Sequence, residues 1–145
     1  EIPLRLVGSE MCIRDSCWAD AEQLHRKFPM TVMEQVPGNC DCRQEVQERI
    51  LLIEGKKILI CHGHTFNVKA GYLNLEYAAE ERKVDAALFG HTHRVFYDKH
   101  NRIAYMNPGS IGQPPYGIPP SYGVLQVDGS SNTIATDVIY LEENN

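Results

Sequence analysis

Two rhythms of apolar residues run along the chain. Trp18, Ala21, Leu24 and Phe28 recur at three and four residues and stop before Pro29, which predicts a short amphipathic helix over 18–28. Residues 31–36 are rich in β-branched and apolar types and close on Pro37-Gly38, predicting a strand that enters a turn. Residues 50–54 and 57–61 read as two strands joined through Gly55 and Lys56. From Asn67, a residue suited to an N-cap, Val68, Tyr72, Leu75 and Ala79 return at helical spacing, with Glu76, Glu80, Glu81 and Arg82 on the other face. Residues 86–89 form a short buried-looking strand. Beyond it, 95–98 with 102–106, around a turn at 99–101, and 122–127 with 133–141, around DGSSN, read as antiparallel β.

Strand, helix and strand within about 30 residues make a βαβ unit, whose crossover brings both strand ends to one edge of a parallel pair. Four polar clusters each follow an apolar run: Asn39-Cys40-Asp41, His62-Gly63-His64, His91-Thr92-His93 and Asn107-Pro108-Gly109-Ser110. In open α/β sheets, ligands sit in the crevice beyond the strand carboxyl ends. Either histidine pair alone could be a turn satisfied by backbone. Two pairs at the ends of strands joined by one helix, preceded by an amide-bearing turn, favour a divalent transition metal, for which neutral imidazoles and an amide oxygen are suitable ligands. His25, on a helix beside Arg26 and Lys27, and His100, in a polar turn, read as solvated surface residues.

Composition narrows the classes. A chain of 145 residues, 43% hydrophobic and 23% charged, is one globular α/β domain without repeats or low-complexity tracts. Its net charge of -5 and scattered basic residues argue against stable nucleic-acid binding or an anionic membrane surface. No apolar run is long enough to span a bilayer, and the N-terminus lacks the basic-then-apolar order of a signal peptide. Five cysteines, an odd number, read as free thiols of a cytoplasmic protein.

GNCD, CHGH, FGHTHR and NPGS, in this order and strand context, resemble the calcineurin-like metallophosphoesterases, most closely the small single-domain phosphodiesterases of bacteria and archaea. The resemblance runs from about Trp18 to the C-terminus. It implies an α/β/β/α sandwich whose loops hold two divalent ions, manganese first, with nickel, iron and zinc as other candidates. By position, Asn39, His62 and His91 resemble three ligands of one metal and His93 a ligand of the other. His64 resembles the phosphate-contacting histidine, and Asp41 would orient its neighbours. In the family, a hydroxide held between the metals attacks phosphorus in line. Cys40 stands where many relatives carry a histidine assigned as general acid, which suits a substrate with a good leaving group. The implied substrate is a small-molecule phosphodiester or phosphomonoester; a homo-oligomer is left open.

The resemblance also has a gap. The family begins with a strand ending in D-x-H and a second ending in G-D, and neither motif stands here. Counting back from Asp20 of ADAE places Ser16 at the position of the bridging aspartate; Asp15 is one residue out of register. Residues 1–16 therefore read as a non-family segment, in the manner of translated adapter sequence, and 17–145 as an incomplete phosphoesterase domain lacking its first strands. Asn39, His62, His91 and His93 are all neutral, whereas two divalent ions about 3.5 Å apart repel by roughly 19 kcal/mol at an effective dielectric of about 20. The expectation is at most one weakly held metal, little activity as the chain stands, and marginal folding. Two other readings compete. One is a non-catalytic scaffold of the same fold, like the retromer subunit in this family. The other is a structural zinc site built from Cys40, Cys42 and two histidines.

Overall fold

The computed structural model describes residues 2–6, 17–30, 32–38 and 46–142. In chain order these form β1 (Ile2–Leu6), α1 (Cys17–Lys27), β2 (Glu48–Ile53), β3 (Lys56–Cys61), a single 3-10 turn (His64–Phe66), α2 (Leu73–Glu81), β4 (Ala86–Leu88), β5 (Val95–His100), β6 (Ile103–Pro108), β7 (Ser121–Asp128) and β8 (Thr133–Tyr140). Five strands make one sheet in the order β2-β3-β4-β6-β5, and three make a second in the order β1-β7-β8.

The centre of the larger sheet is parallel: Ile60 of β3 faces Leu88 of β4, and Leu88 faces Met106 of β6. These inner strands are buried on both faces, which explains why their sequences read as unbroken apolar runs rather than alternations. Alternate residues then feed two cores. Leu59, Cys61, Ala87, Phe89, Ile103 and Tyr105 meet Leu75 and Ala79 of α2. Ile58, Ile60, Ala86, Leu88, Ala104 and Met106 meet Leu125 and Val127 of the second sheet. Each fully buried Leu, Ile, Val, Phe or Met side chain among them contributes about 1.5–3 kcal/mol of burial. The sheets approach closely because β7 carries Gly123, where a Cβ would stand 2.5 Å from Met106 Cε.

The fold is mixed α/β, as expected, with α2, the five-stranded sheet and the three-stranded sheet stacked in that order. Four local expectations change. Residues 32–38 carry no strand: Val36 packs on the core and Pro37 is buried, but the stretch has no ladder partner among the described residues, and β-propensity acts only through one. The second helix begins at Leu73, not near Asn67, because Asn67 closes the 3-10 turn at φ 53 and Gly71 sits at φ 151. Val68, Leu75 and Ala79 nevertheless reach the core together. β6 is not only the partner of β5; its other edge pairs in parallel with β4. Finally, α1 forms as expected, yet Leu24 and Phe28 on its apolar side remain 42% and 56% exposed.

Residues 2–6, to which the sequence pattern assigned no element, lie as an antiparallel edge strand along β7. On the opposite face, Arg82 at the end of α2 ties the helix to edge strand β2 through Glu48 at 2.7 Å. No described helix is long and apolar enough to cross a membrane.

Candidate metal-binding and phosphoester site

β3, β4 and β6 run in parallel and end on one edge of the sheet, delivering CHGH, FGHTH and NPGS to the same place. Gly90 N–H donates to the His62 carbonyl at 2.9 Å and Phe89 N–H to that of Met106 at 3.0 Å, so the ladder continues into the loops. At Gly63 the chain turns with φ 108, and a Cβ there would lie 2.9 Å from Val68 Cγ2. Glycine is required on both counts.

His62, His64 and His91 come together. Their ring centroids are 5.0 Å (62 to 64), 4.9 Å (62 to 91) and 6.2 Å (64 to 91) apart. His62 is buried and the others half-buried. The Nδ1 atoms of His62 and His64 are 2.9 Å apart. In such a bond one nitrogen carries the hydrogen and the other accepts, which couples the tautomers of the two rings. His93 Nδ1 donates to the Gln113 carbonyl at 2.8 Å. That contact selects the tautomer whose Nε2 lone pair is available, the arrangement metal-ligating histidines use.

His91 and His93 both sit in the left-handed region, at φ 70 and φ 59. What holds them is Asn107, fully buried at the end of β6. Its amide nitrogen donates to the Gly90 carbonyl at 3.1 Å and to Thr92 Oγ1 at 2.9 Å, and its oxygen accepts from Gly109 N–H at 3.0 Å. The sequence pattern singles out NPGS without giving it a role. The signal that could have done so is an asparagine inside a continuously apolar strand, since a buried amide must find partners. Ser110 extends the same scaffold: its Oγ accepts from Gln113 N–H at 3.0 Å, fixing the loop whose carbonyl orients His93.

Asn39, Cys40 and Asp41, and with them Cys42, lie outside the described residues. Cys61 beside the site is no nucleophile: burial pushes its thiol up to about 12, and its Sγ contacts the Leu88 carbonyl at 3.9 Å. Of the donor set, the oriented His93 Nε2 suits a divalent transition metal. Among the described residues, however, no three His, Cys, Asp or Glu side chains are grouped so as to hold an ion by themselves. A complete coordination shell needs ligands from elsewhere, of which Asn39 is the expected one.

Residues 12–130 match the model of the calcineurin-like phosphoesterase superfamily domain. The chain belongs to that superfamily. It is 36% identical over 100 residues to the probable metallophosphoesterase YsnB of Bacillus subtilis (strain 168), a stretch covering 68% of this chain and 59% of that protein. It is 29% identical over 118 residues to phosphodiesterase YfcE of Escherichia coli (strain K12), covering 81% of this chain and 53% of the relative. The chain thus spans little more than half the length of the curated relatives it matches. Among solved structures, a conserved uncharacterized protein and predicted phosphoesterase from Streptococcus pneumoniae TIGR4 superposes with a TM-score of 0.74 at 21% identity, over 97% of this chain and 91% of that one. Vps29 from Entamoeba histolytica, solved with Zn2+, gives 0.67 at 17%, over 96% and 99%. At these identities the likeness is one of fold.

Proposed function

We propose that the chain is the histidine-bearing part of a cytoplasmic metal-dependent phosphoesterase acting on small-molecule phosphodiesters, or on phosphomonoesters. The observation that carries this is the convergence of His62, His64 and His91 from two loops at one strand edge, with His93 held in the Nε2-available tautomer. Asn39, His62 and His91 would hold one divalent ion, and His93 would contribute to a second. Manganese is the first candidate. A bound ion would supply the positive field on the phosphoryl oxygens and the acidification of water that hydrolysis requires. Of the chain's own groups, His64 is assigned to the phosphate and Asp41 to orienting its neighbours. Cys40, in place of a histidine, makes a weak general acid, so substrates with acidic leaving groups are favoured.

The proposal includes the deficit expected from the sequence: with Ser16 at the bridging position, neutral ligands do not offset the repulsion of two cations. Manganese-dependent hydrolysis of bis(p-nitrophenyl) phosphate tests it. The chain as it stands should turn over near background, and Ser16→Asp in a chain extended by a strand ending in D-x-H should restore activity that His62→Ala then abolishes. Activity in neither, with both folded, would leave the scaffold reading, which the likeness to Vps29 supports. Robust binding of two manganese ions by the unaltered chain would overturn the deficit.

A further inference from the structure

The parallel strands have a second end. Some 20 Å from the histidines, by the rise of a six-residue strand, the amino-terminal ends of β3, β4 and β6 and the last turn of β5 open onto the seam between the two sheets. Lys56, Asp85 and Ala104 from the larger sheet, with the solvent-exposed Lys99, Arg102 and Asn132, line an open pocket of about 60 Å³ there. Lys99 and Ala104 are cross-strand partners, so both project to the same face, the one that packs on the second sheet.

Its electrostatics are those of an anion site. Three cations face one carboxylate. That carboxylate is already engaged: Asp85 Oδ1 is 3.6 Å from Lys56 Nζ and its Oδ2 accepts from Lys57 N–H at 2.9 Å. Among the described residues neither Lys99 nor Arg102 makes an ion pair, in a chain whose net charge is -5. A volume of about 60 Å³ is several times the roughly 10–15 Å³ that one water needs, room for a small polyatomic ion.

Backbone geometry adds an independent observation. Asn101 and Arg102, at φ 48 and φ 66, are the central residues of a two-residue hairpin between paired His100 and Ile103. That turn type calls for Asn-Gly. Arg102 stands at the position where glycine would be unstrained.

We propose that this cavity binds a tetrahedral oxyanion of the phosphate class, with Lys99 and Arg102 as its charged donors, Asn132 as a neutral one, and the bound anion bridging the two sheets. The site shares no residue with the hydrolytic one and does not depend on that reading. The test is a titration of the isotope-labelled chain with inorganic phosphate, in EDTA, followed by amide resonances and repeated with sodium chloride at matched ionic strength. Saturable shifts at Asp85, Ala104 and Asn132 are expected with phosphate and not with chloride, on a curve that the amides of Gly63 and Gly90 do not follow. The double variant Lys99→Gln, Arg102→Gln should weaken that binding at least tenfold, as expected for loss of two charge-assisted bonds. Arg102→Gly, which suits the left-handed backbone and therefore keeps the fold, should weaken it severalfold while the phosphate-free protein melts no lower than before. Equal shifts with chloride, or affinity unchanged in both variants, would overturn the proposal.

Discussion

The two loops that bring the histidines together meet one backbone demand in opposite ways. In HGH the left-handed turn falls on Gly63, which carries no penalty, and the flanking histidines are free to adopt ordinary conformations. In GHTH the glycine comes first, and the left-handed positions fall on His91 and His93 themselves. Each such residue costs on the order of 1 kcal/mol. The second loop is correspondingly clamped from outside, by the three hydrogen bonds of buried Asn107 and by the Gln113 carbonyl on His93. Strain placed on a glycine needs only space, whereas strain placed on the functional residue needs a buried polar scaffold to hold it.

That contrast can be broken most forcefully at the clamp. Asn107→Leu keeps the branching of the side chain but strips the Gly90 carbonyl, Thr92 Oγ1 and Gly109 N–H of their partner and adds bulk at a fully buried position, and should cost about 3 kcal/mol in urea unfolding. Next comes the glycine loop, where Gly63→Ala brings a Cβ against Val68 in a left-handed residue; a loss of about 2 kcal/mol is expected. Thr92→Val removes a single acceptor of the clamp and should cost about 1 kcal/mol. His91→Gly relieves the strain it bears, so stability should stay within about 0.5 kcal/mol of the parent while metal uptake, read by equilibrium dialysis with manganese, is lost. A substantial drop in stability there would mean the left-handed histidine costs nothing and the comparison fails.

The smallest effect belongs to a turn with no part in the site. Asp128 accepts from the hydroxyl and amide of Ser130 and from the amide of Ser131, bonds that hold its carboxyl well below the usual carboxylate range. A depressed folded value stabilises above the unfolded one and loses that contribution as pH falls through it. Asp128→Asn should therefore lower the melting temperature slightly at neutral pH, with the gap to the parent closing as the solution is taken below about pH 4.

Much of this arrangement was legible in the chain. Parallel inner strands announce themselves as continuous apolar runs, and glycine-flanked histidines at their ends mark a crevice, so His62, His64 and His91 could be placed together before any coordinates. Less could be read where an element depends on a distant partner. Residues 31–36 have strand composition, yet 32–36 join no ladder among the described residues, and the helix expected from Asn67 yields its first turns to the geometry of HGH. The apolar side of α1 is equally clear in sequence, yet periodicity states only that a face is apolar and not what covers it.

What the sequence by itself determined is the local alphabet: where the inner apolar runs lie and which chemistry stands at the end of each. Those depend on spacing and side-chain type within a few residues. Only the tertiary structure decided that β6 lies in parallel beside β4, and hence that Asn107 reaches back across 15 residues to Thr92. It alone gathered Lys56, Lys99, Arg102 and Asn132 at the opposite end. The physical reason is the same in both cases: a buried amide finds its partners, and polar groups from separate turns come to one place, through space, across distances along the chain that carry no signal.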